Sequence, residues 1–319
     1  MTMIYIPKRH IEVEMLPPAI GLKGRFLLQK FKGEAERGGA LLAEREFPNL
    51  ITNLGLDRFG NFACDNLYTA FHVGTGTAIP QVTDTALQSY LAGMGSSQFT
   101  RSRSVSGSAP YKGMATISTT FAVGAVVGNL TEIGMSRVAA NTSELWSRAL
   151  ILDAEGNPTT FPVLADEQLV VTYVLECVVP TADAVASVNI AGVGAVDTIT
   201  RAHNATNAVW APVVGNGFAN VGFTQSNAAG AYTGDITDVT GTPSGFLGSS
   251  DSSSNAAYGS GNLYRDGAVV FGPGSFNNSL RSCVFFGAMG AFQTQYDPVI
   301  PKNNLQTLTL NFRFAWARA

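Results

Sequence analysis

Residues 305–319 read LQTLTLNFRFAWARA, and their alternation decides the fold. Leu308, Leu310, Phe312, Phe314 and Trp316 fall on one face, while Thr307, Thr309, Asn311 and Arg313 fall on the other. That period of two is the pattern of a half-buried strand. Burying the large apolar side chains contributes on the order of 10 kcal/mol of transfer free energy, at ~1.5–3 kcal/mol each. A face so costly to expose belongs inside a sheet, so the segment is expected to be a central strand and not a tail.

The same period recurs upstream. FTRSRSV (99–105), YKGMATISTTFAV (111–123), NLTEIGMSRV (129–138), WSRALIL (146–152) and QLVVTYVLECVV (168–179) each read as strands, several with apolar and polar residues alternating. AEGNP (154–158) supplies Gly156 and Asn157 where positive φ is needed, which predicts a hairpin joining WSRALIL to 159–163. SVNIAGVGAVDTITRAHN (187–204) reads as a strand pair, and AVVFG and SCVFFGAMGAF return to strand character. Charged residues are 13% of the chain and glycines number 34, the composition of a turn-rich all-β protein or of one buried in an assembly. With 319 residues, the expectation is an all-β chain of two antiparallel β-sandwich or jelly-roll-like domains, a short charged N-terminal arm and one or two short helices. The expected divisions are 1–46 for the arm, 47–180 for a connector and first β-domain, and 181–319 for a second, Gly/Ser-rich β-domain.

Within the arm, RFLLQKFK (25–32), the turn GEAERGG and LLAEREF (41–47) predict a charged hairpin. It reads equally as a solvated edge ribbon or as an arm docking on a neighbouring subunit. In FPNLITNLGLDRFG (47–60), Leu50, Leu54, Leu56 and Phe59 suit a short helix with Asn49 or Thr52 as cap, and form a candidate assembly interface. TALQSYLA (85–92) is a second candidate helix, with Leu87 and Leu91 on one face. Residues 214–262 are rich in Gly, Ser, Asn and Ala, and GSSDSSSNAAYGSGN (248–262) is expected to be a mobile loop, since polar sequence buries too little to offset ordering entropy. Tyr232, Phe246, Tyr258, Tyr264, Phe271 and Phe276 sit amid these small residues. They read either as anchors of loops to the core or as a recognition face, with Tyr232, Tyr258 and Tyr264 as the receptor-facing candidates.

Several chemistries find no foothold in the sequence. A net charge of −3 without clustered Lys and Arg argues against nucleic acid. Cys64, Cys177 and Cys283 form no CxxC pair and read as buried thiols. His10, His72 and His203 lack metal-ligand spacing and read as surface or loop histidines, so neither metal nor cofactor is expected. VGTGT (73–77) lacks the spacing of a nucleotide loop and reads as a turn. Asp153 with Glu155, and Asp235 with Asp238, are nominal carboxylate pairs for glycoside hydrolysis, but each lies beside turn residues. No catalytic residue is assigned. The start MTMIYIPKRH lacks a secretory apolar run, and no stretch reaches ~18 apolar residues, so synthesis in the cytosol without membrane insertion is expected.

Three segments together, FPNLITNLGLDRFG, HVGTGTAIPQVTDTALQSYLA and LWSRALILDAEGNPTTFPVLADEQLVVTYVL, resemble a pattern in structural proteins of tailed bacteriophages. The resemblance spans about residues 47–178 and implies a tail, fibre, collar or head-fibre component located in the virion, without enzymatic activity. It implies partners too: further copies of the chain as a trimer or ring, and other virion proteins; a host cell-surface receptor is the partner expected from the Gly/Ser/aromatic loops beyond residue 181, which the resemblance does not cover. A receptor-binding adhesin acting through 181–319, or a capsid decoration protein, is the alternative.

Overall fold

The computed structural model describes residues 9–61, 70–95, 99–211, 229–287 and 290–319. Strands make up 57% of the structure and helix 5%, so the chain is all-β, as its alternation predicts.

The largest element is a nine-stranded sheet. Its spatial order is Ser252–Asn255, Tyr264–Phe271, Gln306–Arg318, Ile20–Lys32, Glu167–Val178, Lys112–Phe121 and Thr100–Val105. Arg9–Met15 joins it beside Gln306–Arg318, and Ala40–Pro48 joins it beside Ile20–Lys32. A five-stranded sheet runs Leu50–Ile51, Leu145–Leu150, Glu132–Ser136, Ala70–Gly74, Tyr90–Gly95. A six-stranded sheet runs Ala184–Ile190, Gly194–Ala202, Gly290–Lys302, Asn278–Gly287, Ala229–Tyr232, Phe246–Ser249. Phe161–Val163 and Gly128–Leu130 make a small ribbon.

Gln306–Arg318 is central, and the five residues from Leu308 to Trp316 that alternate on one face are all buried. One side pairs antiparallel with Tyr264–Phe271. The other pairs parallel with Arg9–Met15 and then with Ile20–Leu22. Pro17 and Pro18 lie at the step between those two partners, where a residue without an N–H cannot continue a ladder. Beyond Leu22 the strand leaves Gln306–Arg318 and lies between Glu167–Val178 and Ala40–Pro48. The predicted hairpin of the N-terminal segment is present, but it is no separate arm. Its first strand is interior to the nine-stranded sheet, which takes strands from all three expected divisions of the chain. Phe26 and Tyr173 of this sheet meet Phe71 and Trp146 of the five-stranded sheet. Phe312 and Phe314 meet Phe285, and Phe314 also meets Phe292, of the six-stranded sheet.

One helix of the two expected forms. Asn53–Asn61 is capped by Thr52, whose Oγ1 accepts the Gly55 amide at 3.0 Å; Asn49 instead donates to the Tyr173 hydroxyl. Gly55 and Gly60 lie within the helix. They let it pack closely, since a Cβ would strike the Trp146 carbonyl at Gly55 and the Tyr258 ring at Gly60. The segment 85–92 is not helical: it is irregular to Ser89 and then a strand, with Leu87 buried and Leu91 exposed. Its amides are captured instead, Gln88 and Ser89 donating to the buried Glu132 carboxylate.

The expected hairpin after WSRALIL closes over its first residues only, the Thr159 amide donating to the Ile151 carbonyl at 2.9 Å. Gly156 has φ 85°, Asn157 is not left-handed, and Leu152 bridges Pro158. Beyond it the strands part, Leu145–Leu150 pairing with Glu132–Ser136 and Phe161–Val163 with Gly128–Leu130. The Ser-rich stretch 248–262 is likewise more ordered than its composition predicts. Ser252–Asn255 pairs with Tyr264–Phe271, while Asp251 holds the Gly272 amide at 2.6 Å. Cys177 and Cys283 are buried, as expected, and burial pushes the Cys283 thiol up to about 12. Cys64 lies outside the described residues, as do 212–228.

Candidate functional site

The residues singled out for assembly do not share a surface. Leu50 and Leu54 are half-buried, whereas Leu56 and Phe59 are 1% and 0% exposed inside the chain's own core. The cause is at the far end of the sequence: the Trp316 indole donates to the Leu56 carbonyl at 2.8 Å, and Phe59 sits edge-on to Trp146. An apolar helix face suits a core as well as an interface, and here the core takes it.

The helix also carries Asp57, which sequence reasoning passed over. Its carboxylate accepts the Tyr258 hydroxyl at 2.9 Å, the Ser260 hydroxyl at 3.0 Å and the Gly261 amide at 2.5 Å. Tyr258 stacks on Trp316, and burial, then Asp57, pushes its phenol up to about 12. Tyr258 is thus a loop anchor and not a receptor-facing group. Tyr232 is half-buried against Phe246, and Phe271 packs on Phe276 in the core. Tyr264 lies under Arg313, which lines a groove.

That groove, about 610 Å³, lies on the outer face of the nine-stranded sheet. Alternation builds it: the residues between the buried ones point outward, so Asn311 and Arg313 meet Glu14 from Arg9–Met15 and Asp266 from Tyr264–Phe271, with Asn255 at the rim. Arg313 donates to both Asp266 oxygens, at 2.7 and 2.9 Å, and lies 3.7 Å over the Tyr264 ring. Asp266 foremost, with Tyr264 and Glu14 adding, holds the guanidinium above its ordinary value. The groove offers carboxylates, amides and a fixed cation to a polar ligand. Its described lining contains no histidine, cysteine or lysine to act as nucleophile or base near neutral pH. A second recess, about 440 Å³, gathers Lys23, Arg25 and Lys112 around Glu176. Burial pushes the Glu176 carboxyl up, and Lys112 and then Arg25 outweigh it, leaving it below its ordinary value.

The VGTGT loop is a turn whose anion is internal. Glu132, fully buried, accepts the amides of Gly76, Gln88 and Ser89 and a pair of bonds from Arg148, which also grips Asp84. Gln88 Oε1 takes the next two amides, Thr77 and Ala78. The nominal carboxylate pairs are turn-formers: Asp153 accepts the Glu155 and Asn157 amides, Asp238 accepts the Thr240 amide and hydroxyl, and Asp235 pairs with Arg281. His10 is exposed, and His203 lies in a loop, though a buried one, whereas His72 is buried within a strand and is neither the surface nor the loop histidine expected. His72 meets the Val138 carbonyl at 2.7 Å, and burial lowers both imidazoles. Among the described residues no group of His, Cys, Asp and Glu could hold a metal ion. Compared with protein families, curated proteins and solved structures, the chain matches none of them.

Proposed function

We propose that the chain is a structural component of a tailed-bacteriophage particle, in the tail, neck/collar or fibre, which assembles as a homo-oligomer and catalyses no reaction. The observation that carries this reading is the use of the inner carboxylates. Asp57 clamps the 258–261 loop, Glu132 the 75–89 loop, Glu167 the Leu164 amide and Lys30, and Glu176 three cations. Groups engaged in this way fix a shape, whereas catalysis needs one poised with a perturbed pKa and an open partner. The low-charge β body and the phage-like segments between 47 and 178 support the same reading. Mass spectrometry of washed particles should find the protein at a fixed copy number relative to the other virion proteins; its absence from particles refutes the proposal.

The groove beside Tyr264 favours a second reading, receptor contact through 181–319. Its carboxylates, amides and bidentate-held Arg313 suit a polar, hydroxyl-rich surface ligand. Particles carrying Arg313→Ala and Asp266→Asn should assemble normally but lose adsorption to host cells. Unchanged adsorption refutes this second reading and leaves the first standing.

A further inference from the structure

The six-stranded sheet ends on Ala184–Ile190, sequence AVASVNI, which is bonded on one side only. Its ladder with Gly194–Ala202 is unbroken from Ala184↔Thr200 to Ile190↔Gly194. A free edge presents a row of N–H and C=O groups to any other strand, and proteins blunt such edges with charge, proline, bulges or brevity. Among the described residues, the other edges carry those devices. Arg9–Met15 has Glu12 and Glu14, and Thr100–Val105 has Arg101 and Arg103. Ala40–Pro48 combines a register shift with Glu44, Arg45 and Glu46. Tyr90–Gly95 has a shifted register and two glycines, while Leu50–Ile51, Ser252–Asn255 and Phe246–Ser249 are short. Ala184–Ile190 has no charge, no proline and no register shift, and its Val185 is 73% exposed.

We propose that this edge is where two copies of the chain join, strand to strand and antiparallel about a two-fold axis, so that the two six-stranded sheets become one. An axis normal to the sheet keeps each face continuous and pairs residues of like parity. Centred on Ser187, it sets Ser187 against its counterpart and Val185 against Asn189 on the outer face, with Ala186 against Val188 and Ala184 against Ile190 on the inner face. No like charges meet in this register. Asp183, just before the strand, is already paired with Arg201, and the outward charge nearest the axis, Asp197, lies opposite Ser187 one strand in. The two Asp197 carboxylates would stand three strand spacings apart, roughly 14 Å. That exceeds the screening length of about 8 Å at physiological salt. The inference rests on the structural reading only for the expectation that copies associate, and it moves their contact from the Leu50–Phe59 segment to this edge.

The test uses the full chain. Sedimentation or light scattering of the purified protein should show a dimer or an even multiple. Val185→Lys with Ser187→Lys, folded by circular dichroism and thermal midpoint, should weaken association roughly tenfold or more, the equivalent of about 1.4 kcal/mol. Ser187→Cys should form a covalent dimer on mild oxidation, since directly opposed Cβ atoms lie ~4.5–5.5 Å apart and need only a small adjustment to bridge. A wild-type monomer, folded lysine variants that associate as wild type does, or a Ser187→Cys protein that stays monomeric each overturns the proposal. Lysine variants that still oligomerise leave the virion reading intact, whereas absence from particles overturns that reading without touching the dimer.

Discussion

Acidification from pH 6.5 toward 4 destabilises this chain through His203, and replacing that residue removes much of the effect. The imidazole is 2% exposed and packs edge-on to Phe286 at 5.7 Å, with its Nδ1 unpartnered. Burial pushes its pKa down to about 4, opposed weakly by a hydrogen bond with the Gly241 backbone. Because the folded value lies below the unfolded value of about 6.5, the unfolded chain binds the extra proton throughout the interval. The contribution is therefore complete above pH 6.5 and is lost as pH falls through the interval. A shift of this size amounts to about 3 kcal/mol at 1.36 kcal/mol per unit, an upper value because the site relaxes when it charges. His72, lowered by burial as well, acts with the same sign. Glu176, Asp166 and Asp238, all held below their ordinary values, lose their contributions as pH falls through the ordinary carboxylate range of about 4–4.5 and below, so most of the interval above 4.5 belongs to the histidines. Urea unfolding of wild type and His203→Phe at fixed pH between 7 and 4.5 measures the slopes. A variant that loses stability as steeply as wild type, or a His203 resonance titrating near 6.5, refutes the reasoning.

Three further substitutions test the internal ties. Glu132→Ala leaves three amides and the Arg148 Nε without their acceptor, while Asp84 still holds the guanidinium, and should cost about 3 kcal/mol, with the Gly76, Gln88 and Ser89 amides losing hydrogen-exchange protection first. Leu56→Asp buries an unpaired charge and should cost about 4 kcal/mol or more in thermal or urea unfolding, while Leu54→Asp, at a half-buried position, costs far less. If the two are equal, Leu56 does not sit in the core described here. Asp57→Ala frees the 258–261 loop, with a loss of about 1–3 kcal/mol and faster chymotryptic cleavage at Tyr258; unchanged cleavage counts against the clamp.

What the sequence discloses and what it conceals follow from one physical distinction. Alternation records which face of a strand is apolar, so the Gln306–Arg318 strand and the pairing of 25–32 with 41–47 are legible. It does not record who covers that face. Leu54, Leu56 and Phe59 satisfy an interface and a core equally, and the choice is made by Trp316, some 260 residues later. The 85–92 segment has helical spacing at Leu87 and Leu91, but Glu132 draws its amides away from a helix with no local trace of doing so. Asp57 reads as a solvated helical charge until the 258–261 loop is folded onto it. That same clamp, with Asp251, orders a stretch whose composition alone favours disorder.

Edges are hidden more deeply than faces. Nothing in AVASVNI distinguishes an interior strand from a terminal one, because pairing uses backbone groups that every residue carries. Arg101 and Arg103 on Thr100–Val105 warn that a strand is terminal; the uncharged Ala184–Ile190 gives no such warning. Its position at the end of the six-stranded sheet is a fact of topology, and once that is known the missing charges acquire meaning. An interior strand needs no protection, whereas a seven-residue edge left unprotected in a protein that guards its others is expected to be covered.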